Sequence, residues 1–397
     1  MRVLAIVAVL AACRGTPPQH HARDTAIARA GSDAAVGSGS ASSDAWPELA
    51  TIPRVDPERV IALPARTNTP RFDVGGPAIA SGIAVVSSSQ FGFVAVDYKV
   101  GQIVWSKPAG IHVAPPLATP DGFLLIGECF DRPIVPAGRL LLGCARSVTP
   151  TGADQGFVAV HGDAKAVADF ANEPGVQHIA SIGDRAVLWR RGDRAVIVDP
   201  VSGVATPAPA TEPPLEVTYK KRTWSIAQDE KGRIVATEHG KPAWHTDRSY
   251  TQMLGAVYLP EQSPMLRLSN AGRFRGQPEL SLLDLDATGS LHGAVAFPVP
   301  GIGLLAHAID AIGDVALAVQ LDTSLERQFI AGYAANSLLM WVYPLPRVPR
   351  ADPIGLAIAP DAVLVFHDGD TLTVLPELSA PPTAPGAARV PLENSTP

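Results

Sequence analysis

The sequence predicts an all-β fold assembled from a small repeated sheet, and three observations support this prediction. A phrase that reads as strand, turn and strand, FVAVDYKVGQIVW at residues 93–105, returns in weaker form along the chain. The 397 residues include 35 glycines and 38 prolines around short runs of Val, Ile, Ala and Leu, as in chains with many turns between short strands. No convincing long amphipathic helix interrupts the pattern. A unit that returns this often predicts an array of small sheets.

The later copies of the phrase can be placed by one marker position, that of Asp97. Its equivalents are His161 in a copy at residues 157–167, and then Asp199, Ala236, Asp286, Tyr333 and Leu375. Most steps between markers lie near the roughly 40 to 50 residues of a four-stranded blade, but the first step is longer, at 64 residues. Three copies have a glycine four places after the marker, namely Gly101, Gly203 and Gly240. Three copies have a tryptophan eight places after the marker, namely Trp105, Trp244 and Trp341. Glycine permits the positive φ of a hairpin turn, and an indole can pack between neighbouring sheets.

The first copy carries a family resemblance. VAVD at residues 94–97, followed by Gly101 and Trp105, resembles the blade phrase of the PQQ-like β-propeller repeat family. The resemblance extends over about residues 60–378. It implies an all-β propeller of four-stranded antiparallel blades. The chain contains no Trp-Asp dipeptide, which disfavours a WD40 array.

The number of copies predicts seven blades. We expect residues 59–63 to pair with the last blade, formed around residues 363–375, because this closure removes an exposed sheet edge. An eighth blade, built partly from residues 46–72, is the alternative. Trp105 and Trp341 are expected to be buried between blades. The recurring acidic residues Asp97, Asp199 and Asp286 are expected to cap turns rather than to form an active site.

The N-terminus predicts a lipoprotein signal peptide over residues 1–12. Arg2 supplies a positive charge, residues 3–10 form an apolar run, and LAAC at residues 10–13 resembles a bacterial lipobox. The run is far shorter than the roughly 20 residues of a membrane-spanning helix. The mature chain would then begin with an acylated Cys13. Arg14 follows it instead of an aspartate, which in systems resembling the enteric one leaves the lipoprotein free to reach the outer membrane. An ordinary signal peptide with a chance cysteine is the alternative.

Composition divides the remaining chain into three parts. Residues 13–45 are rich in Ser, Ala, Gly and Asp and are predicted to be a disordered tether behind the lipidated cysteine. Residues 46–378 are predicted to form one propeller domain, because blades share a single ring. Residues 379–397, rich in proline and alanine, are predicted to be a disordered tail.

The other two cysteines stand on strand-like arms. Cys129 ends LLIGEC and Cys144 ends LLLGC, with Pro133 and Pro136 in the loop between them. An oxidising compartment favours a disulfide between them, while two buried free thiols remain the alternative. One interpretation of the same loop is that it forms part of a partner surface, and the alternative, which the sequence favours slightly, is a strand extension that serves no partner. The residues nominated for contact are Asp131, Arg132, Ile134 and Val135.

Motifs for catalysis and for nucleic-acid binding are not found. The sequence contains no Gly-x-Ser-x-Gly elbow, no His-Glu-x-x-His pair and no phosphate-binding glycine loop. Its formal net charge is −6, and residues 220–222 form its one basic cluster, so nucleic acid is not a predicted partner. We therefore predict no catalytic residue, no metal ligand and no cofactor, and expect the protein not to be an enzyme.

Three functions remain open. The first is a monomeric binding scaffold that resembles, in architecture, the propeller lipoproteins of the outer-membrane β-barrel assembly machinery. Its predicted partners are membrane lipid, through acylated Cys13, and an unidentified envelope protein, at an outer membrane face directed to the periplasm or the exterior. The second is a small-ligand sensor. The third is a quinoprotein dehydrogenase with pyrroloquinoline quinone and calcium, which is disfavoured because the chain has no adjacent cysteine pair.

Overall fold

The structure of the protein is a computed structural model. The residues that it describes are 52–64, 74–110, 112–131, 133–173, 177–182, 186–208, 215–219, 222–249, 252–258, 266–274, 277–286, 288–298, 303–310, 313–321, 327–335, 338–346 and 354–378. Within these ranges, no helix has the length and apolar character needed to cross a membrane.

The described strands form five four-stranded sheets and one eight-stranded sheet. The eight-stranded sheet consists of two four-stranded halves joined by a short parallel pairing of Val204 with His161 and of Ala205 with Gly162. Dividing it at this pairing gives seven four-stranded units, here called blades 1 to 7. The first strand of the described residues is β1 (Arg59–Ala62), which belongs to blade 7. Blade 1 contains β2 (Val74–Ala80), β3 (Ile83–Ser88), β4 (Gly92–Asp97) and β5 (Gln102–Lys107). Blade 2 contains β6 (Leu117–Thr119), β7 (Gly122–Gly127), β8 (Arg139–Val148) and β9 (Asp154–Asp163). A short helix, α1 (Ala168–Ala171), leads to blade 3, which contains β10 (Gln177–Ile182), β11 (Ala186–Arg191), β12 (Arg194–Val198) and β13 (Val204–Ala208).

The second half of the chain continues the series. Blade 4 contains β14 (Leu215–Tyr219), β15 (Arg222–Gln228), β16 (Arg233–Glu238) and β17 (Lys241–Ser249). Blade 5 contains β18 (Gln252–Tyr258), β19 (Leu266–Phe274), β20 (Gln277–Leu285) and β21 (Leu291–Pro298). Blade 6 contains β22 (Gly303–Ile309), β23 (Val315–Gln320), β24 (Gln328–Tyr333) and β25 (Leu339–Pro344). Blade 7 contains β26 (Gly355–Ala359), β27 (Ala362–His367), β28 (Thr371–Pro376) and β1.

The fold is the predicted β-propeller, and its strands are antiparallel within each blade. The first strands of blades lie toward the centre, where β2 contacts both β6 and β26. In such a meander, the loops between second and third strands and the connections between blades emerge at one end, here called the upper face. The turns between first and second strands, and between third and fourth strands, emerge at the other end, here called the lower face.

Ring closure follows the prediction from the sequence. Strand β1 pairs antiparallel with β28, with Arg59 opposite Val374 and Ala62 opposite Thr371. The backbone amide of Leu63 donates to the carbonyl of Asp370 at 2.7 Å, which extends the pairing. The N-terminal strand thus completes the last blade of the ring and joins the two ends of the described chain.

The core lies between blades, which explains the nearly continuous apolar runs. In β4, Val94 and Val96 pack in a cluster shared with blade 7, while Phe93 and Ala95 pack in a cluster shared with blade 2. Side chains alternate between the two faces of a strand, and both faces of this sheet are covered. A strand buried on both faces needs no alternation of apolar and polar residues, so FVAV in β4 is a direct consequence of its position in the ring.

The predicted register is wrong for the second copy of the repeat. Residues 157–167 do not form the hairpin of blade 2, because β9 is its fourth strand. The hairpin turn is formed by residues 149–153, where the amide of Gly152 donates to the carbonyl of Thr149 at 2.9 Å. The position equivalent to Asp97 in blade 2 is therefore Thr149, which follows the third strand. The predicted marker, His161, lies in the fourth strand instead. The sequence did not indicate this turn, because it begins with Thr149 and Pro150 and not with an aspartate. With the marker at Thr149 instead of His161, the first step is 149 − 97 = 52 residues instead of 64.

Tryptophans pack against turns of the following blade. Trp105 Nε1 donates to the carbonyl of Pro150 at 2.9 Å, and its ring lies against Gly152, which has a φ of 86°. Trp244 lies in the same way against Gly289 of blade 5. Trp341 is buried as predicted. The prediction for Trp105 is wrong in degree, because this side chain is only half-buried on an outermost strand that faces solvent.

The recurring aspartates cap turns, as the sequence predicts. Asp97 Oδ1 accepts from the amides of Lys99 and Val100 at 3.0 and 3.2 Å. Asp199 and Asp286 accept amide hydrogen bonds in the same way, from residues two or more places later. A carboxylate that accepts from amides two and three residues later stabilises the turn.

Candidate functional site

The candidate site is at the upper face, where the loop between β7 and β8 meets the connection from blade 1 to blade 2. The amide of Gly110 donates to the carbonyl of Glu128 at 3.0 Å, and the amide of Glu128 donates to the carbonyl of His112 at 2.6 Å. These bonds tie the base of the loop to the connection that runs beside it. A Cβ at Gly110 would overlap the Glu128 side chain, so a larger residue at this position would displace that side chain.

A disulfide closes the loop. Cys129 and Cys144 are bonded to each other, with their Cα atoms 5.0 Å apart and 15 residues apart in sequence. Cys144 is opposite Gly127 in the β7–β8 ladder, which places its side chain beside the first loop residues. The predicted pairing is confirmed, and the alternative of two free thiols is not what the structure contains. The loop is therefore held at both ends, by strand pairing and by a covalent bond.

The nominated loop residues differ in exposure. Ile134 is 100% exposed, Asp131 is exposed and Val135 is half-buried. Arg132 lies outside the described residues. Phe130, which was not nominated, is 65% exposed. An exposed Phe and an exposed Ile on one closed loop leave apolar surface with no partner inside the described part of the chain.

A cleft of about 250 Å³ opens beside this loop. Phe93 and Leu125, both buried, form part of its floor together with the disulfide. One wall comes from the end of β5, and the other comes from β8 and β9 of the next blade. The remaining lining residues are Lys107, Pro108, Ala109, Gly127, Glu128, Phe130, Asp131, Pro133, Arg146 and Phe157. The cleft therefore joins the apolar core between two blades to the exposed apolar loop.

Charged side chains from the two walls meet at Asp154. Lys107 Nζ lies 3.2 Å from Asp154 Oδ1, and Arg146 Nε lies 3.8 Å from the same oxygen. The Arg146 guanidinium carbon is 5.2 Å from the ring centre of Phe157, its cross-strand neighbour in β9. A cation over an aromatic face is attracted by the ring quadrupole, so Phe157 fixes the position of the guanidinium. Sequence reasoning missed these residues, because Lys107 and Arg146 are brought together only by the packing of two blades.

Titratable groups elsewhere have structural surroundings. His307 of β22 is buried, and this burial alone lowers its pKa to about 4. The imidazole is consequently neutral near pH 7. Across the described ranges, no group of three or more His, Cys, Asp or Glu side chains could hold a metal ion.

Several sequence predictions concern residues that the structure does not describe. The signal peptide at residues 1–12, the lipidated Cys13 and the tether up to residue 45 lie outside the described residues, as does the tail at residues 379–397. These remain predictions from the sequence.

Comparison with solved structures finds chains that are similar at low sequence identity. No protein-family model matches the sequence, and no curated protein matches it. BamB from Moraxella catarrhalis is similar at 12% identity and a TM-score of 0.38, over 81% of this chain and 99% of that chain. The C-terminal WD40 domain of Sif2 is similar at 12% identity and a TM-score of 0.40, over 76% of this chain and 81% of that chain. The computationally designed Ika8 protein is similar at 10% identity and a TM-score of 0.42, over 80% and 98% of the two chains. None of these similarities bears on function.

Proposed function

We propose that the protein is a non-catalytic propeller scaffold, held at a membrane surface, that binds another protein of the bacterial cell envelope through the disulfide-closed loop and the adjacent cleft. The observation that carries this proposal is the exposure of Phe130 and Ile134 on a loop fixed at both ends. Apolar side chains that a soluble domain leaves exposed in one place are typical of interaction sites. Because the loop is held before binding, less conformational entropy is lost when a partner docks.

The membrane part of the proposal rests on the N-terminal sequence. Cleavage before Cys13 and acylation of that residue would anchor the chain, and residues 14–45 would act as the tether. We propose the outer membrane as the location, with the 46–378 propeller facing the periplasm or the exterior as a monomer. The PQQ-like repeat phrase at residues 93–105 is compatible with such an envelope lipoprotein.

Anchoring is tested by metabolic labelling with an alkyne fatty acid. The wild type should be labelled, and Cys13→Ser should not be, because the thiol is the expected acceptor. Labelling that persists in Cys13→Ser would remove the lipid anchor from the proposal and leave a secreted protein.

Partner binding is tested by affinity capture from detergent-solubilised envelopes. The wild type is compared with the double variant Phe130→Ser/Ile134→Ser, which removes the exposed apolar side chains and keeps the disulfide. Val201→Ser is the matched control, because Val201 is 82% exposed on a lower-face turn of blade 3. We expect one captured protein to be lost with the double variant and retained with the control. Equal capture by all three proteins would contradict the proposed surface.

Two other functions are less well supported. The cleft of about 250 Å³ is smaller than ligand pockets usually are, at about 300 to 1,000 Å³, which disfavours this cleft as the site of a small-ligand sensor. A quinoprotein dehydrogenase would show quinone-dependent dye reduction in the presence of calcium, and we expect none.

A further inference from the structure

We propose that the cleft beside the disulfide receives an extended acidic segment of the partner protein, in which an apolar side chain stands next to a carboxylate. The apolar side chain would enter the cleft, and the carboxylate would bind Lys107 and Arg146. This inference rests on the proposed protein-binding function and adds the chemistry of the segment that is bound.

The size and lining of the cleft favour an apolar side chain. Its lining includes the buried side chains of Phe93 and Leu125, both cysteines of the disulfide, and Phe130 and Pro133 of the loop. A volume of about 250 Å³ suits one aromatic or branched aliphatic side chain rather than a folded element. Apolar area that leaves water on entry is the main source of affinity in such a pocket.

The charge of the wall favours a carboxylate. Lys107 and Arg146 both approach the same oxygen of Asp154, so two positive charges face one negative charge. Their side chains are only 18% and 29% exposed, which means that both are partly withdrawn from water. A second carboxylate at this wall would balance the charge and accept hydrogen bonds from cations that are already in place.

Arg146 is suited to this role by its position. Its contact with Asp154 is through Nε, at the long distance of 3.8 Å, and Phe157 lies against the guanidinium face. The planar guanidinium presents several donors in a fixed plane and can bind a carboxylate through two of them. Because Phe157 restricts its rotation, little side-chain entropy is lost when a carboxylate binds.

The acidic groups of the cleft lie on its loop side. Glu128 packs over Gly110 and already has an interaction within the chain. Asp131 is exposed on the loop, where solvent and salt screen its charge. The attraction for a carboxylate is therefore confined to the wall formed by Lys107 and Arg146, and a basic residue in the bound segment is expected only toward the loop.

The probe is a phage-displayed library of random dodecapeptides, selected on the full chain in detergent. We expect the selected peptides to share Asp or Glu next to Phe, Leu, Ile or Trp. A fluorescent peptide with the consensus is then compared with its Glu→Gln or Asp→Asn version by anisotropy. The neutral version should bind about tenfold more weakly to the wild type, as for a lost charge-assisted hydrogen bond.

Variants locate the effect. Arg146→Gln and Lys107→Gln should each remove most of the preference for the acidic peptide. Arg139→Gln is the matched control, because Arg139 is exposed at the start of β8 and does not line the cleft. The Arg139→Gln control should keep the full preference for the acidic peptide over its neutral version. Asp131→Asn should bind the acidic peptide as tightly as the wild type or more tightly. Thermal unfolding of each variant identifies any that has lost its fold. If one of the two variants Arg146→Gln and Lys107→Gln is unfolded, the preference measured with the other one decides whether the cations bind the carboxylate.

Several results would overturn the inference. These are a selection without a carboxylate in the consensus, no selected peptide, or a preference that survives both Arg146→Gln and Lys107→Gln. An affinity that rises more than about tenfold on deletion of residues 379–397 would assign the cleft to the chain's own tail. Binding of the cleft to phospholipid vesicles or to a second copy of the chain, lost in Arg146→Gln, would assign it to those occupants. If the loop variant still loses its captured protein while the peptides show no acidic preference, this inference fails and the proposed function stands.

Discussion

The Tyr98 hydroxyl donates a 2.9 Å hydrogen bond to Asp361 Oδ1, across 263 residues of sequence. Lys99 Nζ lies 2.7 Å from the other oxygen of the same carboxylate. Tyr98 and Lys99 belong to the last turn of blade 1, and Asp361 belongs to the first turn of blade 7, so both lie on the lower face. The ring is therefore closed twice, by strand pairing between β1 and β28 and by this polar contact between turns.

Loss of the Tyr98 hydroxyl should weaken ring closure. Tyr98→Phe keeps the ring in the cluster between blades 7 and 1 and removes only the donor. We expect a loss of about 0.5 to 1.5 kcal/mol of unfolding free energy, the usual net value of one hydrogen bond. Denaturant titration near pH 7 measures it. An unchanged midpoint would mean that water replaces the bond without cost.

The same pair gives a pH dependence with a definite sign. The Lys99 ammonium, followed by the Tyr98 hydroxyl, holds the pKa of Asp361 below its usual range. Its stabilising contribution is therefore present above about pH 4 and is lost as the pH falls through the folded-state pKa. Burial, followed by the bond to Asp361, raises the pKa of Tyr98. The stabilising contribution of Tyr98 is therefore complete below about pH 10 and is lost as the pH rises through the folded-state pKa. The difference in unfolding free energy between wild type and Tyr98→Phe should consequently shrink at pH 11.

Two tryptophans at equivalent repeat positions should differ in their contributions. Trp341 is 2% exposed, so Trp341→Ala should cost about 3 to 5 kcal/mol through lost transfer energy and a cavity. Trp105 is half-buried on β5, so Trp105→Ala should cost less, about 1 to 3 kcal/mol, including its bond to Pro150. Urea titration of both variants tests the order. Equal costs would contradict the exposure assigned to Trp105.

Gly152 should tolerate no side chain, for two separable reasons. Its φ is 86°, and a Cβ would stand 2.5 Å from atoms of the Trp105 ring. Gly240 has a similar φ of 75° but no atom within 4 Å, so Gly240→Ala isolates the cost of the backbone conformation. We expect about 1 kcal/mol for Gly240→Ala and clearly more for Gly152→Ala. If both variants lose the same stability, the tryptophan is not packed on that turn.

The disulfide should stabilise the fold without being required for it. Cys129→Ser/Cys144→Ser opens a 15-residue loop, and a loop of this length corresponds to about 3 kcal/mol. Because neither residue lies in the inner strands, the double variant should still unfold cooperatively, at a lower denaturant concentration. Wild type treated with reductant should match it. A loss under about 1 kcal/mol would show that strand pairing alone holds the loop.

The sequence predicted the ring better than the site, for a physical reason. Blade-forming residues repeat, so the pairing of residues 59–63 with the last blade followed from spacing and from the need to cover an edge. The register of blade 2 was missed because its turn begins with Thr149, and because FVAV at residues 157–160 of its fourth strand repeats the letters of residues 93–96 in the third strand of blade 1. Lys107 and Arg146 could not be found, because they meet at Asp154 only after two blades have packed.

We expect the closed loop of blade 2 to contact a partner in the cell envelope. A photoreactive amino acid placed at Ile134, which is 100% exposed, tests this in intact cells. The same amino acid at Val201 is the control, because that position is 82% exposed on a lower-face turn of blade 3. We expect one ultraviolet-dependent adduct with an envelope protein from position 134 and none with that protein from position 201. The same adduct from both positions, or no adduct from position 134, would contradict it.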